Sequence, residues 1–354
     1  MAALAHHKLT YALPGSPFGD GRDGTLTISA DTTQSVTNKS CSGTSGSSTL
    51  TLASSGFSNY DVVLIHQSRG TGVGQWQYAK VVSGGGTTTL TLAKPLVYTF
   101  TDSGASQAQV FYVPQYGDVT VDSTKTWSAP AWDGNVGGLL VFASRGTVTV
   151  TGTISSVGKG FLSAGTGYSG ESPLGAGLSN FATPNGPGGG GNDPGTPSGG
   201  AGASYDGTGG VGGVNDQSRE PTSPSVGTFD QNLAYIGSAG GAGADGLGGK
   251  GAGAIIFVAN ILTVAGSFTS GGGSAPSTYD RPGGGGSGSI IWGLIRTATL
   301  GTNLMVSPGG SAGARANSWN SHPTAGTAGR IHLEYLSSYT GTTTPTIDIE
   351  QNFT

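Results

Sequence analysis

The sequence is poor in charge and in thiols. Only 10% of its 354 residues are charged, whereas an average protein has about 25%. It holds a single cysteine, Cys41, which excludes an internal disulfide framework. The formal net charge of -4 leaves no basic surface for nucleic acid or anionic lipid, so we expect neither partner.

Long apolar runs are missing as well. No stretch approaches the roughly 18 apolar residues of a membrane span, so we expect none. Residues 1–21 lack the apolar core of a secretory signal peptide. If Met1 is the true start, this disfavours classical secretion, although a processed protein renumbered from a new Met would look the same. The abundance of Thr, Ser, Gly and Asn is typical of extracellular proteins, which indicates a virion surface or a cell-surface filament.

Glycine is what the sequence has in excess, with 68 residues. Ordering glycine costs more backbone entropy than ordering any other residue. Such stretches therefore either stay disordered or fold because the missing side chain lets backbones touch, as at the collagen axis. The small net charge and the presence of 11 Phe, 12 Tyr and 5 Trp argue against disorder. We predict an ordered all-β protein.

Turn and strand patterns divide the chain into four parts. Residues 1–24 predict an N-terminal arm that ends in turn formers. Residues 25–130 hold short strands rich in Val, Thr, Leu and Tyr, which predict a small β-barrel or sandwich. Residues 131–341 predict a glycine-rich β-solenoid-like body with long Gly-rich loops, and residues 342–354 a C-terminal strand or tail.

An internal repeat supports the solenoid. Each copy reads as an apolar strand, a bend, a second strand and a glycine-rich exit. Units that cannot bury their apolar faces alone stack on their neighbours. The four copies are LLVFASRGTVTVTG at 139–152, IIFVANILTVAG at 255–266, IIWGLIRTATLG at 290–301 and IHLEYLSSYTG at 331–341.

The β repeat, together with TPNGPGGGG, GGAGADGLGG and RPGGGGSG, resembles the glycine-rich tail-tip adhesins and minor tail proteins of tailed bacteriophages. It is also similar to glycine-rich β-solenoid proteins on bacterial surfaces. The resemblance covers residues 132–330 and rests on composition and repeat layout. In the phage adhesins such loops display the host-recognition surface. The resemblance implies that residues in 161–250 and 271–286 would do so here.

Aromatic residues set among Ser, Gly, Asn and Asp are candidates for contacting a cell-surface glycan or protein receptor. Tyr and Trp give rigid contact area while the small polar residues adapt. Alternatively, the same rings cover the flank of the solenoid and seal the glycine layer, and the sequence leaves both interpretations open. The candidates are Tyr168, Tyr205, Tyr235, Tyr279 and Trp319.

No cofactor is expected. The stretch GGAGADGLG at 240–248 fits the calcium-binding nonapeptide pattern with Asp245 in register. Calcium sites of this kind, however, need several stacked copies of the pattern, and this sequence has one copy.

Asp118 and Asp122 would lie ~13 Å apart on a strand, which is too far for the carboxylate pair of a glycosidase. We predict a non-enzyme; a carbohydrate-active solenoid enzyme would need a carboxylate pair in a groove.

The C-terminal segment suggests assembly. Thr346, Ile347, Asp348 and Ile349 alternate as a strand beyond Pro345 and could add to a neighbouring subunit's sheet edge, or close their own sheet. We therefore expect self-association or association with other virion or filament subunits. The favoured function is a structural phage tail-fibre or tail-tip adhesin. The alternative is a self-assembling bacterial or archaeal surface filament subunit joined by strand exchange.

Overall fold

The computed structural model describes residues 17–163, 170–173, 200–205, 233–243, 245–278, 281–314 and 323–351. These residues form strands and extended segments and contain no helix, which confirms the all-β prediction. In the described part, therefore, no helix is available to cross a membrane.

Eighteen strands follow one another along the chain. They are β1 (Leu26–Ile28), β2 (Thr32–Thr33), β3 (Asn38–Ser42), β4 (Thr49–Leu52), β5 (Val62–Arg69), β6 (Trp76–Ser83), β7 (Thr89–Leu92), β8 (Gln107–Tyr112), β9 (Gln115–Tyr116), β10 (Val119–Val121), β11 (Thr126–Ser128), β12 (Leu139–Val150), β13 (Thr153–Ser155), β14 (Ala254–Val264), β15 (Ser267–Thr269), β16 (Ile290–Val306), β17 (Arg330–Thr344) and β18 (Asp348–Gln351).

Six antiparallel strands close into the small barrel, in the order β3-β4-β7-β6-β5-β8. Side chains alternate along each strand. On β5, Val63 and Ile65 fill the barrel core, while Val62 and Leu64 belong to a second core shared with the rest of the molecule. The barrel is therefore apolar on one outer face as well as inside.

The parallel sheet is a solenoid-like stack of rungs. The four predicted repeats become β12, β14, β16 and β17, which pair in this order and in parallel. The short strands β2, β11, β13 and β15 form a second wall that rejoins the end of β16, so the sheet nearly closes on itself. Between the walls, rings of successive rungs stack, as Phe142 and Phe257 do at 5.5 Å.

Two further rungs lie upstream of the predicted repeats. β1 pairs with β10 and β10 with β12, while β2 pairs with β11 and β11 with β13. These strands fall within 25–130, which the sequence analysis gave wholly to the barrel. The barrel is instead an insertion between two rungs of the solenoid. Strands of two or three residues are too short to give a periodic signal.

The apolar runs that begin β12, β14 and β16 are covered on both faces, as expected for parallel strands. Their alternate residues face the solenoid interior or the barrel. Trp76 of the barrel meets Trp292 of β16 edge to face, with ring centroids 4.8 Å apart. Barrel and solenoid thus share one continuous core.

The glycine-rich segments pack as a bundle of extended chains. The central segment, 282–288, exchanges backbone hydrogen bonds with six others, at 200–203, 238–241, 249–252, 273, 310–313 and 324–327. The bonds recur every three residues: Gly284 donates to Gly241 and Ser287 donates to Ser238. None of the described glycines from 200 to 293 has a positive φ. A three-residue period in extended backbone is polyproline II geometry.

Close approach explains why these positions are glycine. A β-carbon on Gly284 would collide with the backbone of Ala201, and one on Gly285 with the backbone of Gly310. Segments surrounded on all sides leave no room for a side chain. In the described segments, the glycines are therefore ordered and packed backbone to backbone.

Candidate functional site

The bundle has one end at the solenoid and one end away from it, which we call the distal end. The segments 245–253, 281–289 and 323–329 run towards the solenoid, because they lead into β14, β16 and β17. The segments 270–278 and 307–314 run outwards from β15 and β16. Each of these outward segments is therefore followed along the chain by a segment that runs back.

Backbone hydrogen bonds hold these turning points together. Thr278 donates to Ala314 at 3.1 Å, and Asp245 donates to Arg281 at 3.3 Å. The connections at 279–280 and 315–322 thus start from residues that lie side by side. Loops carried by a rigid scaffold in this way commonly hold binding residues.

Asp245, the candidate calcium ligand, lies at the distal end. Its carboxylate is 3.9 Å from the guanidinium of Arg281. The positive charge of Arg281 disfavours the binding of a calcium ion beside it. The described residues contain no group of three His, Cys, Asp or Glu side chains arranged to hold a metal. The sequence match to a calcium-binding pattern at Asp245 stays untested.

The aromatic candidates separate into two sets. Tyr168, Tyr279 and Trp319 lie outside the described residues. Tyr205 and Tyr235 are buried, with 2% and 6% of their surface exposed, and their rings meet edge to face at 6.0 Å. Both rings lie in the core shared with the barrel, so the expectation that these two contact a receptor is corrected. Composition did not show the burial of Tyr205 and Tyr235, because a ring can have the same neighbours in sequence whether it is buried or exposed.

Sequence reasoning missed a buried ionic network between barrel and bundle. Arg69 of β5 pairs with Glu171, and the exposed fractions of the two side chains are 9% and 8%. The indole N–H of Trp132 donates to both carboxylate oxygens at 3.0 Å. The backbone N–H of Leu162 donates to one of them at 3.1 Å. Burial raises the pKa of Glu171, and these donors and Arg69 oppose the rise. The network fixes the two units against each other.

A second buried network pairs a serine with a histidine. His66 Nε2 donates to the carbonyl of Ala234 at 2.7 Å, which leaves Nδ1 to accept from Ser68 at 2.8 Å. Gln109 Nε2 donates to the same serine oxygen at 2.7 Å. A Ser–His pair can act as nucleophile and base. Here all three side chains are 0% exposed, so no substrate reaches them and the network links the barrel to the bundle.

The C-terminal strand has its partner within the same chain. β18 pairs in parallel with β17, with Asp348 opposite His332 and Ile349 opposite Leu333. Thr346 lies just before this strand. The segment therefore pairs within its own sheet, which was one of the two expected pairings. Association with a neighbouring subunit through these residues stays a prediction. The same alternation of side chains suits either pairing, so the sequence could not decide between them.

Comparison of the chain with known proteins gives a distant likeness. No known protein family and no curated protein matches the chain. Among solved structures, the chain is similar to the Gp54 tailspike of Acinetobacter baumannii bacteriophage AP22, solved in complex with A. baumannii capsular saccharide. The identity is 9% and the TM-score 0.22, over 92% of this chain and 58% of the tailspike. Similarity at this level does not show a common fold.

Proposed function

We propose that the chain is a non-enzymatic receptor-binding component of a phage virion, a tail-fibre or tail-tip adhesin. The observation that carries this proposal is the convergence of chain connections at the distal end of the bundle. Backbone hydrogen bonds between the outermost residues, such as Thr278 and Ala314, hold the starting points of these connections in fixed positions. A rigid support reduces the entropy lost when the connections bind a partner.

The sequence of the connections suits recognition of a cell-surface glycan or protein. Tyr279 and Trp319 lie among Ser, Asn and Asp in STYDRP and RANSWNS, a mixture that gives rigid aromatic contacts with adaptable hydrogen bonds. Binding of this kind requires no reacting group.

Cell binding by the purified chain tests the proposal. We expect the labelled chain to bind some strains of a bacterial panel, and the double variant Tyr279→Ala/Trp319→Ala to lose that binding without losing thermal stability. Tyr60→Ala is the matched control, because Tyr60 is 61% exposed but lies on the barrel. Equal loss in the control, or no loss in the double variant, would contradict the proposal.

The alternative function is a surface filament joined by strand exchange. The pairing of β18 with β17 of the same chain gives it no support. Electron microscopy of the purified chain separates the two functions. Helical filaments built from this chain alone would replace the adhesin proposal with the filament.

A further inference from the structure

The parallel stack ends in an incomplete rung. A full rung has three sides, which on β17 are residues 330–335, 338–340 and 342–344, and the register with β16 shifts between them. β18 begins a further rung but pairs only with 332–335, on the first side. In the part of the chain that the structure describes, β17 pairs with β16 and β18 alone. We call residues 338–344, whose outer side β18 leaves uncovered, the open edge.

The open edge presents backbone groups that a strand can bind. Residues of a parallel strand direct their N–H and C=O groups alternately towards one neighbour and towards the other. One set is therefore bonded on the side of β16, where the carbonyl of Thr344 accepts from the backbone of Ser307 at 2.9 Å. The other set points out of the sheet. Such a row of backbone groups is a template for another extended chain.

The sequence of the open edge does not protect it against strand addition. Exposed sheet edges are commonly blunted by charge, by proline or by very short strands. The opposite end of the stack follows this rule, because its outermost strands β1 and β2 have three and two residues. The open edge, SYTGTTT, is longer and holds neither charge nor proline.

Aromatic surface lies beside the open edge. Tyr339 is in register with the buried Ala298 of β16, so its ring lies at the end of the solenoid interior. The ring meets that of Tyr335, with centroids 5.2 Å apart. Both rings pack against the solenoid core but are only half-buried. An added strand with apolar residues at its inward positions would remove this surface from water, which favours its binding.

We propose that the open edge binds an extended, uncharged segment of another protein, which adds to β17 as a parallel strand and continues the rung that β18 begins. Backbone hydrogen bonds supply the affinity, and the inward side chains of the added strand select the partner. An uncharged segment fits because residues 335–347 hold no charge that could pair with one, and an unpaired charge is costly to bury.

A second copy of this chain is a poorer occupant. Its own exposed end offers only the short strands β1 and β2, which cannot match the full length of the open edge. The bend between them also brings Asp31, a charge that the open edge has no group to pair with. The site is separate from the distal end and does not depend on the adhesin proposal.

Amide hydrogen exchange of the full chain, resolved by NMR, tests the open edge. In the free chain we expect alternate amides of 338–344 to exchange fast, while those bonded to β16 stay protected. The probe is the synthetic peptide TATLGTNLMV, the sequence of residues 297–306, because this segment of β16 already pairs in parallel with the other side of β17. We expect the peptide to slow exchange of the fast amides about tenfold or more.

Controls in the peptide and in the protein make the test specific. The same peptide with Ala298→Lys and Leu300→Lys places charge at positions that face inwards in β16, so it should give no protection. In the protein, Tyr339→Ser removes the ring beside the open edge and should weaken peptide binding about fivefold or more. Tyr98→Ser is the matched control, because Tyr98 is also half-buried but lies on the barrel; binding should be unchanged.

The proposal is overturned if all amides of 338–344 are protected in the free chain, since the edge is then already covered. It is also overturned if TATLGTNLMV protects none of them, or if the Lys-substituted peptide protects them equally. Tighter binding of TLTISADTT, the sequence of residues 25–33, together with self-association of the chain in sedimentation, would show that a second copy is the occupant instead. Binding of whole cells reports on the distal end, so this proposal and the adhesin proposal can fail separately.

Discussion

Arg69 on the barrel and Glu171 beside the glycine bundle form a buried ion pair that joins two units formed by distant parts of the chain. Burying two charges costs nearly as much free energy as their attraction returns. Removing one partner, however, leaves the other charge buried without compensation. The pair therefore contributes more to the relative placement of barrel and bundle than to net stability.

Replacing Arg69 should destabilise the protein strongly. We expect Arg69→Met to lower the free energy of unfolding by about 3–5 kcal/mol, the usual cost of stranding one buried charge. Urea denaturation measures this loss. Arg22→Met is the matched control, because the Arg22–Asp20 pair is exposed, with exposed side-chain fractions of 36% and 49%. Arg22→Met should lower the free energy of unfolding by less than about 1 kcal/mol. Glu171→Gln should restore part of the stability of Arg69→Met, and no recovery would contradict this role.

The loss in Arg69→Met should depend on pH. Burial raises the pKa of Glu171, and Arg69 opposes this rise, so the pKa should rise further in the variant. A carboxyl group with a raised pKa in the folded state binds more protons when folded, so stability falls as pH increases through that range. The variant should be nearest to wild type below about pH 4, where the carboxyl is protonated in both states, and should diverge above it. A pH-independent difference would contradict the assignment.

The packing of the bundle predicts that glycine-to-alanine substitutions differ strongly in their effect on stability. Gly284→Ala places a β-carbon against the backbone of Ala201, and neither chain can move without displacing other segments. We expect a loss of about 3 kcal/mol, at the upper end for overpacked sites. Gly117→Ala is the control, because its β-carbon would come no closer than 3.6 Å to any neighbour. Thermal unfolding measures both, and equal effects would show that the segments are not tightly packed.

The barrel and the four main rungs could be predicted because their signals are local. Strands such as β5 and β14 carry long apolar or alternating runs bounded by glycine. The similarity of β12, β14 and β16 can be recognised directly in the amino-acid sequence. Glycine packing could also be inferred, since the glycine stretches come with aromatics and little charge. These features depend on residues near one another in the chain.

The remaining features depend on contacts between distant residues. The barrel's place between two rungs depends on β1 and β10, whose two or three residues carry no period. Tyr205 and Tyr235 were expected in loops because the glycine-rich sequence around them is typical of loops. Their burial comes from packing on the barrel. The Arg69–Glu171 pair joins residues about a hundred positions apart, and no motif marks either one.

Cys41 should be unreactive in the folded protein. It lies in the barrel core with 1% of its surface exposed, and burial raises the pKa of its thiol well above the ordinary value. Labelling requires the barrel to open; an opening cost of about 4 kcal/mol or more leaves under about one molecule in a thousand reactive. Labelling with a chromogenic disulfide should therefore be about a thousandfold slower than in denaturant. Ser45→Cys in a Cys41→Ala background is the control, with an exposed thiol that should react at once.

Removing the C-terminal strand should cost stability without changing the oligomeric state. Residues 345–354 include Ile347, which packs on the solenoid core, and β18, which covers the edge of β17. Their deletion should expose this apolar surface and lower the free energy of unfolding by about 1–3 kcal/mol. Because β18 pairs within its own chain, sedimentation should give the same mass per particle with and without the segment. A full-length oligomer that dissociates on deletion would instead show that the strand also bridges subunits.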